Sequence, residues 1–174
     1  MRRVLDALYT AAGGLAALCI LGICLLVSSQ VGLNILARIG GPALSFTIPS
    51  YADFAGFALA AASFLAMAYT LRAGAHIRVN LLISRLPARG QWAAEIVSLA
   101  LGAGIVGYAT WYSVLLLAES WHYGDTSPGI VAVPLWIPQL TMVVGLGLLT
   151  VALVDTLIES IRNRAPVLVD FGSE

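Results

Sequence analysis

Four long apolar runs constrain this 174-residue chain more than any other feature of its sequence. The first extends from Ala7 to Leu36 without a charged residue, about 30 residues or roughly 45 Å as an α-helix. A transmembrane helix needs about 20 predominantly apolar residues, so each run is long enough to cross a bilayer. Only 10% of the residues are charged, against about a quarter in a soluble protein. The sequence therefore predicts an all-α integral membrane protein.

The breaks between the runs predict a tilted bundle of four helices in a single membrane domain, residues 1–174. Gly and Pro residues end the first run, and an arginine-rich segment separates the second from the third. The predicted spans are approximately residues 7–37, 53–72, 92–121 and 135–161, joined by loops at 38–52, 73–91 and 122–134. The first and third spans exceed the hydrocarbon thickness, so we expect these helices to tilt.

The placement of arginine predicts the orientation of the chain. All nine basic residues are Arg, and positive charge in short loops marks the side that is not translocated. With both termini in the cytoplasm, the 73–91 loop is cytoplasmic and Arg38 is the one arginine outside. The opposite orientation would translocate the other eight. We therefore predict an N-in, C-in protein with loops 38–52 and 122–134 on the outer side.

Small and charged residues predict how the helices pack. Ala100, Gly104 and Tyr108 share one face of the third span, with Ala103 and Gly107 beside them, and small residues let helix backbones approach closely in lipid. We expect this face to meet the second helix. In the last turns of the fourth span, Asp155 and Glu159 have the spacing for ion pairs with the arginines that follow on the same helix.

The ionisable residues do not form the pattern of an enzyme, a metal site or a self-sufficient transporter. A transporter usually places ionisable groups in the middle of the membrane, whereas the carboxylates here lie near span ends. His76 and His122 lie about one bilayer apart and cannot share a metal or haem, so no cofactor is predicted. The zero net charge gives no reason to expect nucleic-acid binding.

Polar residues at the two membrane faces are candidates for contacts with another polypeptide. Gln30, Asn34 and Arg38 recur every four residues and form one stripe, although such a stripe could also simply enter the lipid headgroups.

Two segments of the sequence resemble the corresponding segments of a known protein family. The segment RAGAHIRVNLL, which begins at Arg72, resembles the HIRVD-type cytoplasmic loop of the small membrane subunit of tripartite ATP-independent periplasmic (TRAP) transporters, the DctQ-like family. The segment GDTSPG, followed by Pro134 and Trp136, is similar to that family's outer loop and the start of its fourth helix. Asn80 stands where the family usually has Asp, and Asp53 stands where it commonly has Glu. The resemblance implies further candidate interface residues: Asp53, His76, Arg78, Asn80, Asp125, Ser127, Pro134 and Trp136. For His76 and Arg78 the alternative is an ordinary role as cytoplasmic loop residues beside lipid phosphates.

The resemblance implies a three-part transporter in the bacterial inner membrane. A periplasmic binding protein would deliver an organic acid, a carboxylate, to a large membrane subunit that carries the substrate and the coupling ions, usually sodium. This chain would be a non-catalytic scaffold that supports the large subunit and helps dock the binding protein. The alternatives are an autonomous small four-helix exporter, which would need a central acidic residue, and a membrane-anchored redox protein, which would need paired ligands.

Overall fold

The structure, a computed structural model, describes residues 2–41, 44–73 and 87–163. These residues form four helices: α1 (Arg2–Gly40), α2 (Tyr51–Arg72), α3 (Ala88–Tyr123) and α4 (Trp136–Asn163). Each helix is long and apolar enough to cross a membrane, which confirms the predicted all-α membrane class. Helices α1 and α3 extend beyond the apolar runs, because backbone hydrogen bonding continues past the residues that suit hydrocarbon.

The helices lie side by side in the order α1, α2, α4, α3. Extensive contacts join α1 to α2, α2 to α4, and α4 to α3. In the most apolar window of each helix, 28% of residues are buried in α2 and α4, but only 11% in α1 and α3. The two central helices therefore hold the row together, and the two outer helices expose most of their surface.

The small-residue surface of α3 was predicted to meet α2, and this partner was wrong, because α3 packs on α4. Tyr108 is 66% exposed, and a Cβ placed on Gly104 would have no neighbour within 4 Å. Helix α3 instead packs on α4 through the adjacent face, where Cβ atoms on Gly102 and Gly107 would lie within 3.8 Å of α4 side chains. Because two faces of α3 carry small residues, residue size alone could not identify the one that packs.

Close backbone contact at glycine joins the two central helices. A Cβ on Gly145 of α4 would overlap the backbone carbonyl of Phe64 in α2 and lie 2.7 Å from Phe64 Cβ. A similar contact joins α1 to α2, where a Cβ on Gly13 would lie 2.8 Å from Tyr69 Cγ. Lipid tails are as apolar as the side chains, so helix pairs in a membrane depend on this kind of van der Waals fit.

The largest buried cluster lies at the end of the row where α1 and α3 begin and α2 and α4 end, named here the Arg72 end. It contains residues from all four helices: Tyr9, Ala68, Leu71, Leu99, Leu149, Ala152 and Leu153. The opposite end, named here the loop end, carries residues 44–50 and 124–135. The candidate interface residues that the structure describes lie at the loop end.

We expect Gly145→Ala to destabilise the chain, because its methyl group would force α2 and α4 apart. Overpacking of a tight contact typically costs about 1–3 kcal/mol. Gly147→Ala is the matched control, since a Cβ at that position on the same helix meets nothing within 4 Å. Thermal unfolding of the detergent-solubilised variants measures the difference, and equal midpoints for the two would contradict the close contact.

Candidate partner interfaces

The stripe on α1 divides into one residue engaged within the chain and two that are exposed. The Gln30 side chain is 3% exposed, and its Oε1 accepts a hydrogen bond from the Ile48 backbone N–H at 2.9 Å. Its Nε2 donates to Asn34 Oδ1 at 3.1 Å. Gln30 therefore holds the segment before α2 against α1, while Asn34 and Arg38 remain exposed at the loop end.

The loop between α3 and α4 is closed by its own hydrogen bonds. Gly124 ends α3 with a φ of 68°, a left-handed conformation that glycine adopts without strain. The Leu135 N–H then donates to the Asp125 carbonyl oxygen at 2.9 Å. Ser127 is 6% exposed, and its Oγ accepts from the Val133 N–H at 3.1 Å. Ser127 thus shapes the loop from inside, whereas the Asp125 side chain is exposed.

The tip of this loop packs on the start of α2. Ser50 precedes α2 with a φ of 55°, and its Oγ accepts from the Val131 N–H at 3.0 Å instead of capping the helix. A Cβ on Gly129 would overlap the Asp53 carboxylate, so the loop backbone lies close to this side chain. Asp53 is half-buried against the loop, and it contributes to the internal structure of the loop end.

Pro134 and Trp136 lie where the loop leads into α4. Pro134 is exposed and pairs with Thr126 in an isolated antiparallel bridge. The Trp136 ring meets Trp121 edge-on, with ring centroids 4.8 Å apart. Nearby, Gln139 Nε2 donates to Ser120 Oγ at 2.9 Å. These contacts hold the end of α3 against the start of α4 at the depth where tryptophan suits a membrane interface.

At the Arg72 end, the candidates His76, Arg78 and Asn80 lie outside the described residues. The structure instead places a polar cluster between α2 and α4. Arg72 Nη1 donates to Thr156 Oγ1 at 3.2 Å and forms ion pairs with Glu159 Oε2 at 3.4 Å and Asp155 Oδ2 at 3.7 Å. The two carboxylates thus pair across helices with Arg72 of α2, a partner that the expectation of pairs along α4 did not include.

Helix α3 joins α4 through polar contacts at two levels. Near the Arg72 end, Trp92 Nε1 donates to the Ser160 carbonyl oxygen at 3.0 Å. Further along, the Thr110 and Thr150 hydroxyl oxygens lie 3.0 Å apart. Ser160 is fully buried, and Glu95 is 3% exposed one turn after Trp92. The Trp92 and Thr110 contacts therefore join α3 to α4 at two separate levels.

The sequence contained an indication that Arg72 pairs with acidic residues of another helix, but the position of Arg72 beside a basic loop obscured it. Arg72 reads as one of several arginines in a cytoplasmic segment, and nothing local indicates a partner on another helix. The spacing of Asp155 and Glu159, one turn apart, does indicate two carboxylates on one face. An acidic face this close to the membrane predicts a cationic partner, and only the packing of α2 on α4 identifies it as Arg72.

The described polar contacts at both ends hold helices and connecting loops together. Among the described residues, no group of three His, Cys, Asp or Glu side chains could hold a metal ion. Most of the polar contacts described above join two helices or involve the connecting loops. The side chains of Asn34, Arg38 and Asp125 are exposed at the loop end.

We expect Arg72→Met to destabilise the chain by about 1–3 kcal/mol, because it leaves Asp155 and Glu159 without this cation. The loss is smaller than for a fully buried pair, since the side chains of Arg72 and Glu159 are 18% exposed and that of Asp155 is 33% exposed. Arg162→Met, at an exposed site on α4, is the control. Thermal unfolding measures both, and adding Asp155→Asn to Arg72→Met should recover part of the loss.

Comparison with known proteins assigns the chain to a family. The family model described as tripartite ATP-independent periplasmic transporters, DctQ component, matches residues 29–163. The chain is also 30% identical over 100 residues to the isethionate TRAP transporter permease protein DctMQ of Oleidesulfovibrio alaskensis. This stretch is 58% of the chain but 16% of that relative, and no solved structure matches. With four apolar helices and a family match over most of its length, the chain is a multi-pass membrane protein that belongs to the DctQ component family of TRAP transporters.

Proposed function

We propose that this chain is the non-catalytic small subunit of a TRAP transporter in the bacterial inner membrane. In this proposal it supports a large membrane subunit, which carries the substrate and coupling ions, and it helps dock a periplasmic binding protein. The family membership supports the assignment. The observation that carries the scaffold role is the open row of helices, braced at both ends by interhelical polar contacts.

The contacts within the row of helices would make it a rigid wall beside the large subunit. Two central helices in close backbone contact, with a polar clamp at the Arg72 end and a packed loop at the other end, resist sliding and rotation. The outer helices keep most of their surface available, as their low buried fraction indicates. If a large subunit moves a substrate domain across the membrane, a wall of this kind would hold the stationary part in place.

The positions of the charged groups favour a supporting role over transport by this chain alone. Within the described residues, Asp53 lies in the first turn of α2 and packs against a loop, and Asp155 and Glu159 pair with Arg72. An autonomous exporter would need an acidic residue in the middle of the membrane that could bind substrate. In the sequence the described carboxylates, including the buried Glu95, lie near the ends of the spans, so the exporter alternative is not favoured.

We further propose that the loop end faces the periplasm and the Arg72 end faces the cytoplasm. The arginine distribution supports this orientation, since it places Arg38 alone on the outer side. Asn34, Arg38 and Asp125 would then lie beside the docked binding protein. The cytoplasmic loop with His76, Arg78 and Asn80 would contact the large subunit or lipid phosphates.

The substrate is proposed to be a small organic acid, driven inward by an ion gradient, most simply of sodium. The resemblance of the sequence to the DctQ-like family supports a carboxylate. The relative's name specifies isethionate, which is a sulfonate. A small organic anion is common to both, and selection among such anions would belong to the binding protein and the large subunit.

The first test is reconstitution of transport. We expect this chain alone in liposomes to give no uptake of an organic acid under a sodium gradient, and uptake to appear when the large subunit and the binding protein are added. Co-purification of the chain with the large subunit checks the complex independently. Uptake by the isolated chain, or full activity of the large subunit without it, would refute the proposal.

The second test addresses docking at the loop end. We expect Arg38→Glu and Asp125→Arg each to lower the affinity for the binding protein several-fold, with a larger effect at low salt because the charges are exposed. Arg162→Glu, on the opposite end of the row, is the control. Uptake rate as a function of binding-protein concentration measures the change. If the curves of Arg38→Glu and Asp125→Arg match that of the unmodified complex, as the control curve should, the docking role of the loop end is refuted.

A further inference from the structure

A groove runs along α4 near the Arg72 end, and none of the contacts described above fills it. It has a volume of about 310 Å³. Its lining residues are Leu5, Thr150, Val151, Val154, Asp155 and Ile158. Leu5 comes from α1 and the other five come from α4, so the groove lies between an outer and a central helix. It is open along its length, and its walls are almost entirely apolar.

The groove lies at a depth that suits one leaflet of a bilayer. Asp155 follows Trp136 by 19 residues, or roughly 28 Å along α4, close to the thickness of a hydrocarbon core. If Trp136 marks one interface, Asp155 and Ile158 lie at the other. From there the groove rises toward Thr150, about 12 Å along the helix from Ile158 and closer to the bilayer centre. This is the direction that an acyl chain takes from its headgroup.

The polar residues that line the groove indicate which kind of lipid headgroup it would bind. Thr150 is the polar residue at the deep end, and its hydroxyl is already bonded to the Leu146 carbonyl oxygen at 2.9 Å. Asp155 is the charged residue of the lining, and its side chain is one-third exposed. Its ion pair with Arg72 is long, 3.7 Å, and the same nitrogen lies nearer Thr156 and Glu159. A carboxylate in this position attracts an ammonium group and repels a headgroup with net negative charge.

We propose that the groove binds a phospholipid whose headgroup carries an ammonium group, such as phosphatidylethanolamine. One acyl chain lies along Val154 and Val151 toward Thr150, and the ammonium group pairs with the Asp155 carboxylate. The site is separate from the surfaces proposed for protein partners at the loop end, and it does not depend on the proposed transport function. A lipid here covers the groove face of α4 beside Leu5 of α1, near the polar cluster that joins α2 to α4.

The experiment uses the full chain purified in mild detergent, with phosphatidylethanolamine or phosphatidylglycerol of the same acyl chains added. Native mass spectrometry counts bound lipid, and thermal unfolding measures stabilisation. We expect phosphatidylethanolamine to be retained at least fivefold more than phosphatidylglycerol and to raise the unfolding midpoint more. Equal retention of the two lipids, or no retained lipid, would overturn the proposal.

Two variants test the charge. Asp155→Asn should abolish the preference between the lipids, since the carboxylate that selects the ammonium group is gone. Glu159→Gln is the matched control, because it also removes an ion pair with Arg72 but does not line the groove. It should keep the fivefold preference. Loss of the preference in both variants would show that the Arg72 cluster, rather than a contact with Asp155, is responsible, and the proposal would fail.

A second pair tests the groove itself and does not depend on Asp155. Val154→Trp fills the groove and should lower phosphatidylethanolamine retention at least fivefold. Val144→Trp places the same bulk on an exposed valine of α4 that does not line the groove. It should retain lipid as the unmodified chain does. Equal retention by these two variants would place the bound lipid elsewhere on the protein and refute the site.

Discussion

The Arg72 guanidinium, shared by Asp155, Thr156 and Glu159, is the interaction on which the inner structure of this chain depends. It joins α2 to α4, the two helices that every other part of the row packs against. The hydrophobic effect does not drive helices together in lipid, so a shared polar cluster contributes both attraction and register. Thr156 is fully buried, and its hydroxyl oxygen accepts a hydrogen bond from Arg72. A shift of one helix along the other would separate these groups, and the cluster therefore opposes sliding.

The loop end limits movement by different means. There the connecting segments hold the helices together. Gln30 binds the segment before α2, and the loop after α3 packs on Ser50 and Asp53 through Gly129. Between the two ends, glycine contacts such as Gly145 with Phe64 keep the central backbones close. The chain thus gains rigidity from polar contacts at its ends and from steric fit in its middle. A rigid row with free outer helices agrees with a supporting subunit of a transporter family.

Much of the fold could be predicted from composition, but less of the candidate site could. Apolar runs and their breaks predict four helices because chain length and bilayer thickness leave few alternatives. The polar candidates were harder to place, since a polar side chain near a membrane face can serve its own chain or a partner. Gln30, Ser127 and Asp53 are engaged within the chain, whereas Arg38 and Asp125 are exposed. A spacing of four along a helix shows that residues share a stripe and cannot show what lies opposite.

The sequence by itself determined the class of the protein, the number of helices and the concentration of polar residues near the span ends, because these follow from local hydropathy. Only the tertiary structure decided the order α1, α2, α4, α3, the face of α3 that packs on α4, and the pairing of Asp155 and Glu159 with Arg72. Each of these depends on contacts between residues far apart in the chain. Small residues and single charges occur on several faces, and it is the fit between whole helices that selects among them.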